Sequence, residues 1–237
     1  MVKSGSVEEG REKARLFQAM LYLEGASPFI MPFLTTYSVN QYTGINSRDH
    51  PTSFDKDLPE ELRTGLTSSS GTVEAWLHDP TFQSFSVPDR IAVSAAVVEH
   101  AAENAAKWAA LESAHSDLKA ARLAFVVAPS IPHIGASLIH LWHGIEALFP
   151  DVKSEVSFRL SLLVAQLCRD IEPPRATYKR ARVNYNDRSA VAHGRLISVG
   201  QPEWTETWEL LRMCLRGVLN RGTLPTGEEL LESVLSN

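Results

Sequence analysis

The residue types best suited to chemistry stand close together near position 190. Residues 185–194 include Asp187, Arg188 and His193, and Gly194 follows the histidine directly. A guanidinium can bind a phosphate through two parallel hydrogen bonds, and an imidazole can transfer a proton. Together the two groups can support phosphodiester chemistry without a metal ion. They can equally cap and brace the end of a helix.

The spacing of this pair limits how the two side chains can meet. On a helix, five residues rise about 7.5 Å and turn about 140°, so Arg188 and His193 lean onto adjoining faces. They converge on a ligand only if a second helix or a second subunit forms the other wall. His193 falls in the last turn, where the helix dipole favours a protonated imidazole. Spacing alone favours the bracing interpretation, in which Arg188 bonds a carboxylate such as Glu146 and His193 satisfies terminal carbonyls.

Helical patterns dominate the chain from residue 88 onward and must position this pair. Apolar spacing and Pro or Gly punctuation predict helices over residues 89–112, from after Ser113 or Ser116 to 127, and over 133–149, 154–168, 175–193, 203–219 and 226–235. Ser154 is the expected N-cap of the fourth of these, and Gly194 the residue just past the fifth. The expected fold is an all-α, up-and-down helical bundle over residues 88–237.

The first 87 residues read differently from the rest. Residues 7–23 form one amphipathic helical pattern, and then prolines and glycines interrupt the chain repeatedly. Short helices are expected near residues 59–66 and 71–78. We therefore predict that residues 1–87 are an irregular, partly helical extension that packs on the core.

Composition narrows the class of protein. The 237 residues are 44% hydrophobic and 22% charged, with a net charge of -5, which is typical of a globular chain and unlike a general nucleic-acid coat protein. No apolar signal core and no run long enough to cross a membrane is present, so the expected location is the cytoplasm. Cys168 and Cys214 lie in apolar helical patterns and are expected to be buried thiols.

Other candidate motifs are weaker. His140, His143 and Glu146 recur every third residue and could face a zinc ion from one side of a helix, but the usual helical zinc spacing is absent and packing explains the histidines better. The chain has no glycine-rich phosphate loop and no Gly-x-Ser-x-Gly elbow. We expect neither a metal nor a cofactor.

The pair near position 190 also has a family resemblance. The sequence Arg188-Ser189-x-x-x-His193-Gly194 resembles the Arg-x4-6-His signature of the HEPN superfamily, in the Arg-Ser-x-x-x-His-Gly form of its Apea-like branch. The upstream segment 142–149 is similar to the family's helix with an Ile/Leu-Glu-x-Leu-Phe pattern, and 157–167 to the apolar helix that follows it. The likeness covers residues 130–200, and by general pattern 88–237.

The resemblance implies a fold and a reaction. Many HEPN proteins are helical bundles that dimerise, with two motif helices building one composite cleft, and many are metal-independent endoribonucleases that act as toxins or in antiviral defence. Carried over, His193 would be the acid and base, Arg188 would stabilise the phosphorane charge, and Glu146 would orient Arg188. Asn184, Asp187 and Ser189 would line the cleft. RNA would be the substrate, and an antitoxin or another regulatory partner would be expected.

One position departs from related toxins, and a second interpretation stays open. Some families have a Tyr two residues after the histidine, whereas this chain has Arg195, which would add positive charge at the cleft mouth. Lys179, Arg180 and Arg182 form the densest basic run, which is either an RNA contact or a solvated helix face. The acidic net charge fits an alternative function: a non-catalytic HEPN-fold module for interaction or ligand binding.

Overall fold

The computed structural model describes residues 7–29, 83, 93–194 and 199–235, which belong to one compact unit. All regular structure in these ranges is helical. The helices are α1 Val7–Leu23, α2 Ala95–Ala114, α3 Asp117–Val127, α4 Ile134–Ala147, α5 Val156–Leu167, α6 Pro174–Ala192, α7 Gln201–Arg221 and α8 Gly227–Leu235, with a short 3₁₀ turn at Ala128–Ser130 between α3 and α4. The predicted all-α class and helical bundle are confirmed.

Proline, glycine and capping residues define most helix ends, as predicted. Pro174 is the first residue of α6, where its missing N–H costs nothing. Gly194 follows α6 with a φ of 64°, in the left-handed region that favours glycine. Thr226 and Glu229 form the predicted capping box of α8, since each accepts a hydrogen bond from the other's backbone N–H, at 3.2 Å and 2.7 Å.

Two predicted helix starts are wrong. Helix α2 begins at Ala95 instead of residue 89, because the Ser94 hydroxyl caps it by accepting a bond from the Val97 N–H at 3.3 Å. Helix α5 has Glu155 and not Ser154 at its N-cap position. Glu155 adopts a left-handed conformation with a φ of 48°, so the chain turns into α5 one residue later than the serine pattern indicates.

The N-terminal helix α1 is confirmed with the predicted bounds and packs against α2, α3 and α7. Its C-terminal carbonyl, that of Leu23, accepts hydrogen bonds from Arg212 at 3.4 Å and Arg216 at 2.7 Å, both in α7. The predicted helices at 59–66 and 71–78 and the predicted boundary at residues 87 and 88 lie outside the described residues.

Aromatic rings fill the centre of the bundle. The rings of Phe125 in α3 and Trp208 in α7 stack with centroids 4.5 Å apart, and Tyr22 of α1 meets both edge-on at 5.6 Å. All three side chains are fully buried. None of the described helices is both long enough and apolar enough to cross a membrane.

Helix α4 packs against α3, α6 and α7, and it carries Glu146, one of the predicted site residues. A close approach makes this possible: a Cβ at Gly144 would lie 2.8 Å from Ala124 Cβ and 3.0 Å from Leu211 Cδ2. Only a residue without a side chain fits between α3 and α7 at that position. Leu138, Leu141 and Ile145 bury the same helix in the core.

The two cysteines are both buried, as predicted, and they are also neighbours. Cys168 Sγ lies 3.9 Å from Cys214 Sγ, although 46 residues separate them in the chain. The hydrogen bond with Cys168, followed by burial, raises the pKa of Cys214 well above its usual value. Cys214 therefore stays an uncharged thiol, and both cysteines pack like small apolar side chains.

Candidate active site

Arg188 and Glu146 form the centre of the candidate site, where α6 packs on α4. Arg188 Nη2 lies 3.0 Å from Glu146 Oε1, and 21% and 27% of the two side chains remain exposed. This ion pair was expected under both interpretations of the motif, since Glu146 either braces the arginine or orients it. The partial exposure leaves the guanidinium within reach of a ligand.

The aromatic ring of Tyr185 packs against the guanidinium of Arg188. The Arg188 Cζ lies 5.5 Å from the centre of the Tyr185 ring, within the range of a cation–π interaction. Tyr185 in turn meets the buried Trp142 edge-on at 5.2 Å. Trp142 is one turn before Glu146 on α4, so the same two helices supply both the charge and the aromatic contact that fix Arg188.

The Nε of Arg188 is a buried hydrogen-bond donor. This atom is buried and has no partner among the described residues. A buried, unsatisfied donor costs free energy comparable to a lost hydrogen bond. The Glu146 carboxylate offsets the charge of Arg188 but leaves this donor available to an acceptor.

His193 lies at the end of α6 with its side chain exposed. Its backbone N–H donates to the Ser189 carbonyl at 3.1 Å, and the Gly194 N–H donates to the Val191 carbonyl at 3.0 Å. The backbone is thus satisfied by the helix, and the imidazole is free to act on a ligand in solvent. Among the described residues no hydrogen bond to its ring is present.

Asn184 and Asp187, two of the predicted cleft residues on α6, lie against the groove between α6 and α7. Asn184 is buried, donates to the Arg180 carbonyl at 3.1 Å and accepts from the Thr207 hydroxyl at 3.4 Å. Both residues line a groove of about 590 Å³ between α6 and α7. Arg188 does not line this groove. Asp187 is about 100° from Arg188 around the helix and Asn184 is one turn before it, and a cleft shared by all three with a second subunit stays a prediction.

The groove between α6 and α7 is acidic on its α7 side. Glu203 and Glu206 face Asp187 across it. Burial, and then the neighbouring Glu203 carboxylate, raise the pKa of Asp187 above its usual value. Ser189, the last of the predicted cleft residues, is half-buried, and its carbonyl serves the helix end.

Lys179 and Arg180 of the basic run both line this groove, and Arg182 does not. Arg180 is held by Glu172 at 3.0 Å and by Glu206 at 3.1 Å, so it belongs to the groove. Lys179 is exposed and Arg182 is half-exposed, and neither forms an ion pair with a described residue. Arg195 lies outside the described residues.

The histidines of α4, His140 and His143, differ in their surroundings. In the ranges that the structure describes, no group of three or more His, Cys, Asp or Glu side chains is placed to hold a metal ion. His140 is half-buried while His143 is exposed. Burial, and then the proximity of His143, lower the pKa of His140, so its imidazole is neutral at neutral pH.

Two supporting residues were not identified from the sequence, Tyr185 and Trp142. A local signal was present: Tyr185 stands three residues before Arg188, and Trp142 stands four before Glu146, so each shares a helix face with its neighbour. Comparison of the chain with family models, curated proteins and solved structures gives no match.

Proposed function

We propose that this protein is a metal-independent endoribonuclease of the HEPN type, in which Arg188 and His193 act on the phosphodiester. One observation carries the proposal. The guanidinium of Arg188 is fixed by Glu146 and Tyr185 yet partly exposed, and the same helix ends in an exposed His193. A fixed cation and an exposed proton carrier on one helix are groups that phosphoryl transfer without a metal can use.

The reaction needs a base and an acid, and in a homodimer the imidazoles of the two His193 copies supply them. His193 takes the proton of a ribose 2′-hydroxyl, and the resulting oxygen attacks the adjacent phosphorus. The bond from phosphorus to the 5′-oxygen breaks, that oxygen receives a proton from the imidazole of a second copy, and a 2′,3′-cyclic phosphate remains. Arg188 stabilises the charge of the phosphorane. A homodimer in which two α6 helices face each other would bring the two imidazoles to one phosphate.

Cleavage of a fluorescent single-stranded RNA in the presence of EDTA tests this proposal. We expect His193→Ala to lower the rate by about 10²–10⁴-fold, as for loss of a general acid or base. Arg188→Ala should lower it by about 10²–10³-fold. His115→Ala, in the connection between α2 and α3, and Arg159→Ala, on α5, are the matched controls. Cleavage at the wild-type rate by both motif variants would refute the proposal.

Toxicity gives an independent measure. If the chain acts as a toxin or in defence, its expression slows cell growth, and His193→Ala relieves the effect. An antitoxin or regulatory partner would then be found as a protein that restores growth. Growth that is equally slow with His193→Ala would separate toxicity from the proposed catalysis.

The Arg188–Glu146 pair also favours a second candidate, a non-catalytic interaction module. In that case the pair is a brace between α4 and α6, and its loss costs stability alone. Because one partner left alone is a partly buried charge, Arg188→Ala or Glu146→Ala would cost about 1–3 kcal/mol, and the double variant would cost little more. Such coupling in a protein that cleaves no RNA would favour this candidate.

A further inference from the structure

Helix α6 carries cationic side chains that the proposed reaction leaves unused. The helix has five Lys or Arg residues against one carboxylate, in a chain whose net charge is -5. Arg180 and Arg188 are held by carboxylates. Arg175, Lys179 and Arg182, which we term the cationic row, form no ion pair with any described residue. Two charges of the helix are thus neutralised inside the fold and three are presented to solvent.

The cationic row follows one side of α6 toward His193. Steps of seven and eleven residues are close to two and three whole helical turns, roughly, so Arg175, Arg182 and His193 fall on one line along the helix. Lys179 stands one turn after Arg175. The side chains of Arg175, Lys179 and His193 are exposed and that of Arg182 is half-exposed. The row therefore leads along the surface to the proposed proton carrier.

An exposed aromatic pair borders the row. Phe158 of α5 is 47% exposed, although a ring of this size is usually buried. Its ring meets that of Tyr178 edge-on, with centroids 6.4 Å apart and an angle of 78° between the planes. Tyr178 directly precedes Lys179 on α6. An exposed ring beside unpaired cations is the arrangement on which proteins stack the bases of a single strand while holding its phosphates.

We propose that the cationic row and the Phe158–Tyr178 pair form a binding track for single-stranded RNA that leads to His193; this rests on the proposed ribonuclease function. A second copy packed along the length of the row by two-fold symmetry would set like charges against each other, whereas the proposed dimer brings together only the ends of α6 that carry His193. A membrane surface requires a broad apolar face, whereas Asn186 and Ser189 continue the row. Single-stranded RNA offers both phosphates for the cations and unpaired bases for the ring.

Binding of a labelled single-stranded 2′-O-methyl RNA, measured by fluorescence anisotropy, tests the phosphate contacts. This RNA cannot be cleaved, because its attacking hydroxyls are blocked. The triple variant R175Q/K179Q/R182Q should bind at least about tenfold more weakly, and the slope of log K against log salt should fall by about 2, or 0.7 for each lost contact. The control variant R11Q/K107Q/K153Q removes three exposed charges elsewhere and should bind like the wild type.

The aromatic contact has its own variants. Phe158→Ala should weaken binding of the single strand about tenfold, the loss typical of one stacked base. Phe158→Trp should retain binding and Phe158→Leu should not, because only an aromatic ring stacks. Binding of a duplex of the same sequence should not respond to these substitutions, since its bases are already stacked.

Several results would overturn the track. One is a triple variant that binds RNA like its control, and another is a Phe158→Ala variant that binds RNA like the wild type. A third is a triple variant that no longer dimerises, as measured by light scattering, but still binds RNA. The proposal would also be overturned if the triple variant lost binding to anionic vesicles but kept the RNA affinity of the wild type. Wild-type protein that binds the RNA through the row but never cleaves RNA would refute the ribonuclease and leave the track standing. If the triple variant cleaved RNA at the wild-type rate and bound it like the wild type, the ribonuclease would stand and the binding track would be refuted.

Discussion

Replacing Gly144 with alanine tests how tightly α4 is held in the position that presents Glu146. The new Cβ would lie 2.8 Å from Ala124 Cβ and 3.0 Å from Leu211 Cδ2. Carbon atoms prefer about 3.5 Å or more, so α3 and α4 would have to separate by roughly 0.7 Å. The leucine can rotate away, but the alanine Cβ is fixed to its backbone.

The expected cost follows from two opposing effects. Alanine is about 1 kcal/mol better than glycine within a helix, whereas overpacking of a core costs about 1–3 kcal/mol. Because the closest contact is with a fixed atom, we expect a net loss of about 1–2 kcal/mol, which lowers the midpoint of thermal unfolding by about 5 °C. Gly227→Ala is the control, since its Cβ would lie an ordinary 3.5 Å from Leu163. A Gly144→Ala protein as stable as the wild type would refute the packing argument.

Two further variants probe α6 by thermal unfolding. Asp187→Asn should stabilise the protein at pH 7, because the raised pKa of Asp187 means that its ionised form is disfavoured in the folded state. That cost is absent below the ordinary aspartate pKa of about 3.9, so the gain should vanish as the pH falls toward 3, and a gain that persists there would contradict this assignment. Gly194→Ala should cost about 1 kcal/mol, because its φ of 64° disfavours a Cβ even though the added Cβ meets no atom of the described residues within 4 Å. Gly194→Asn should cost less, and equal losses for the two would point to a clash instead of backbone strain.

The helices could be predicted because single proline, glycine and capping residues determine where most of them begin or end. Pro174 and Gly194 bracket α6, and the Thr226–Glu229 box starts α8. The predicted start of α5 was wrong because Glu155 has a left-handed backbone, a conformation that a glutamate side chain does not indicate. The patterns therefore predict where helices lie but miss ends set by local backbone turns.

The candidate site was only partly predictable. The Arg188–Glu146 pair followed from their positions on neighbouring helices, whereas the place of Asn184 and Asp187 depends on which flank of α6 packs on α7. That flank is decided by the angle between helices, which one sequence does not encode locally. The adjacency of Cys168 and Cys214 is hidden for the same reason, since it arises where α5 ends against the middle of α7.

The hydrogen bonds from Arg212 and Arg216 to the Leu23 carbonyl have a consequence for synthesis. They join residues 189 and 193 positions apart. At roughly 5–20 residues per second, α7 leaves the ribosome about 10–40 s after α1. Helices α2 and α3 can pack on α1 earlier, but the part of α1 that contacts α7 stays uncovered for that time, and a nascent chain stalled before α7 would offer that part to chaperones.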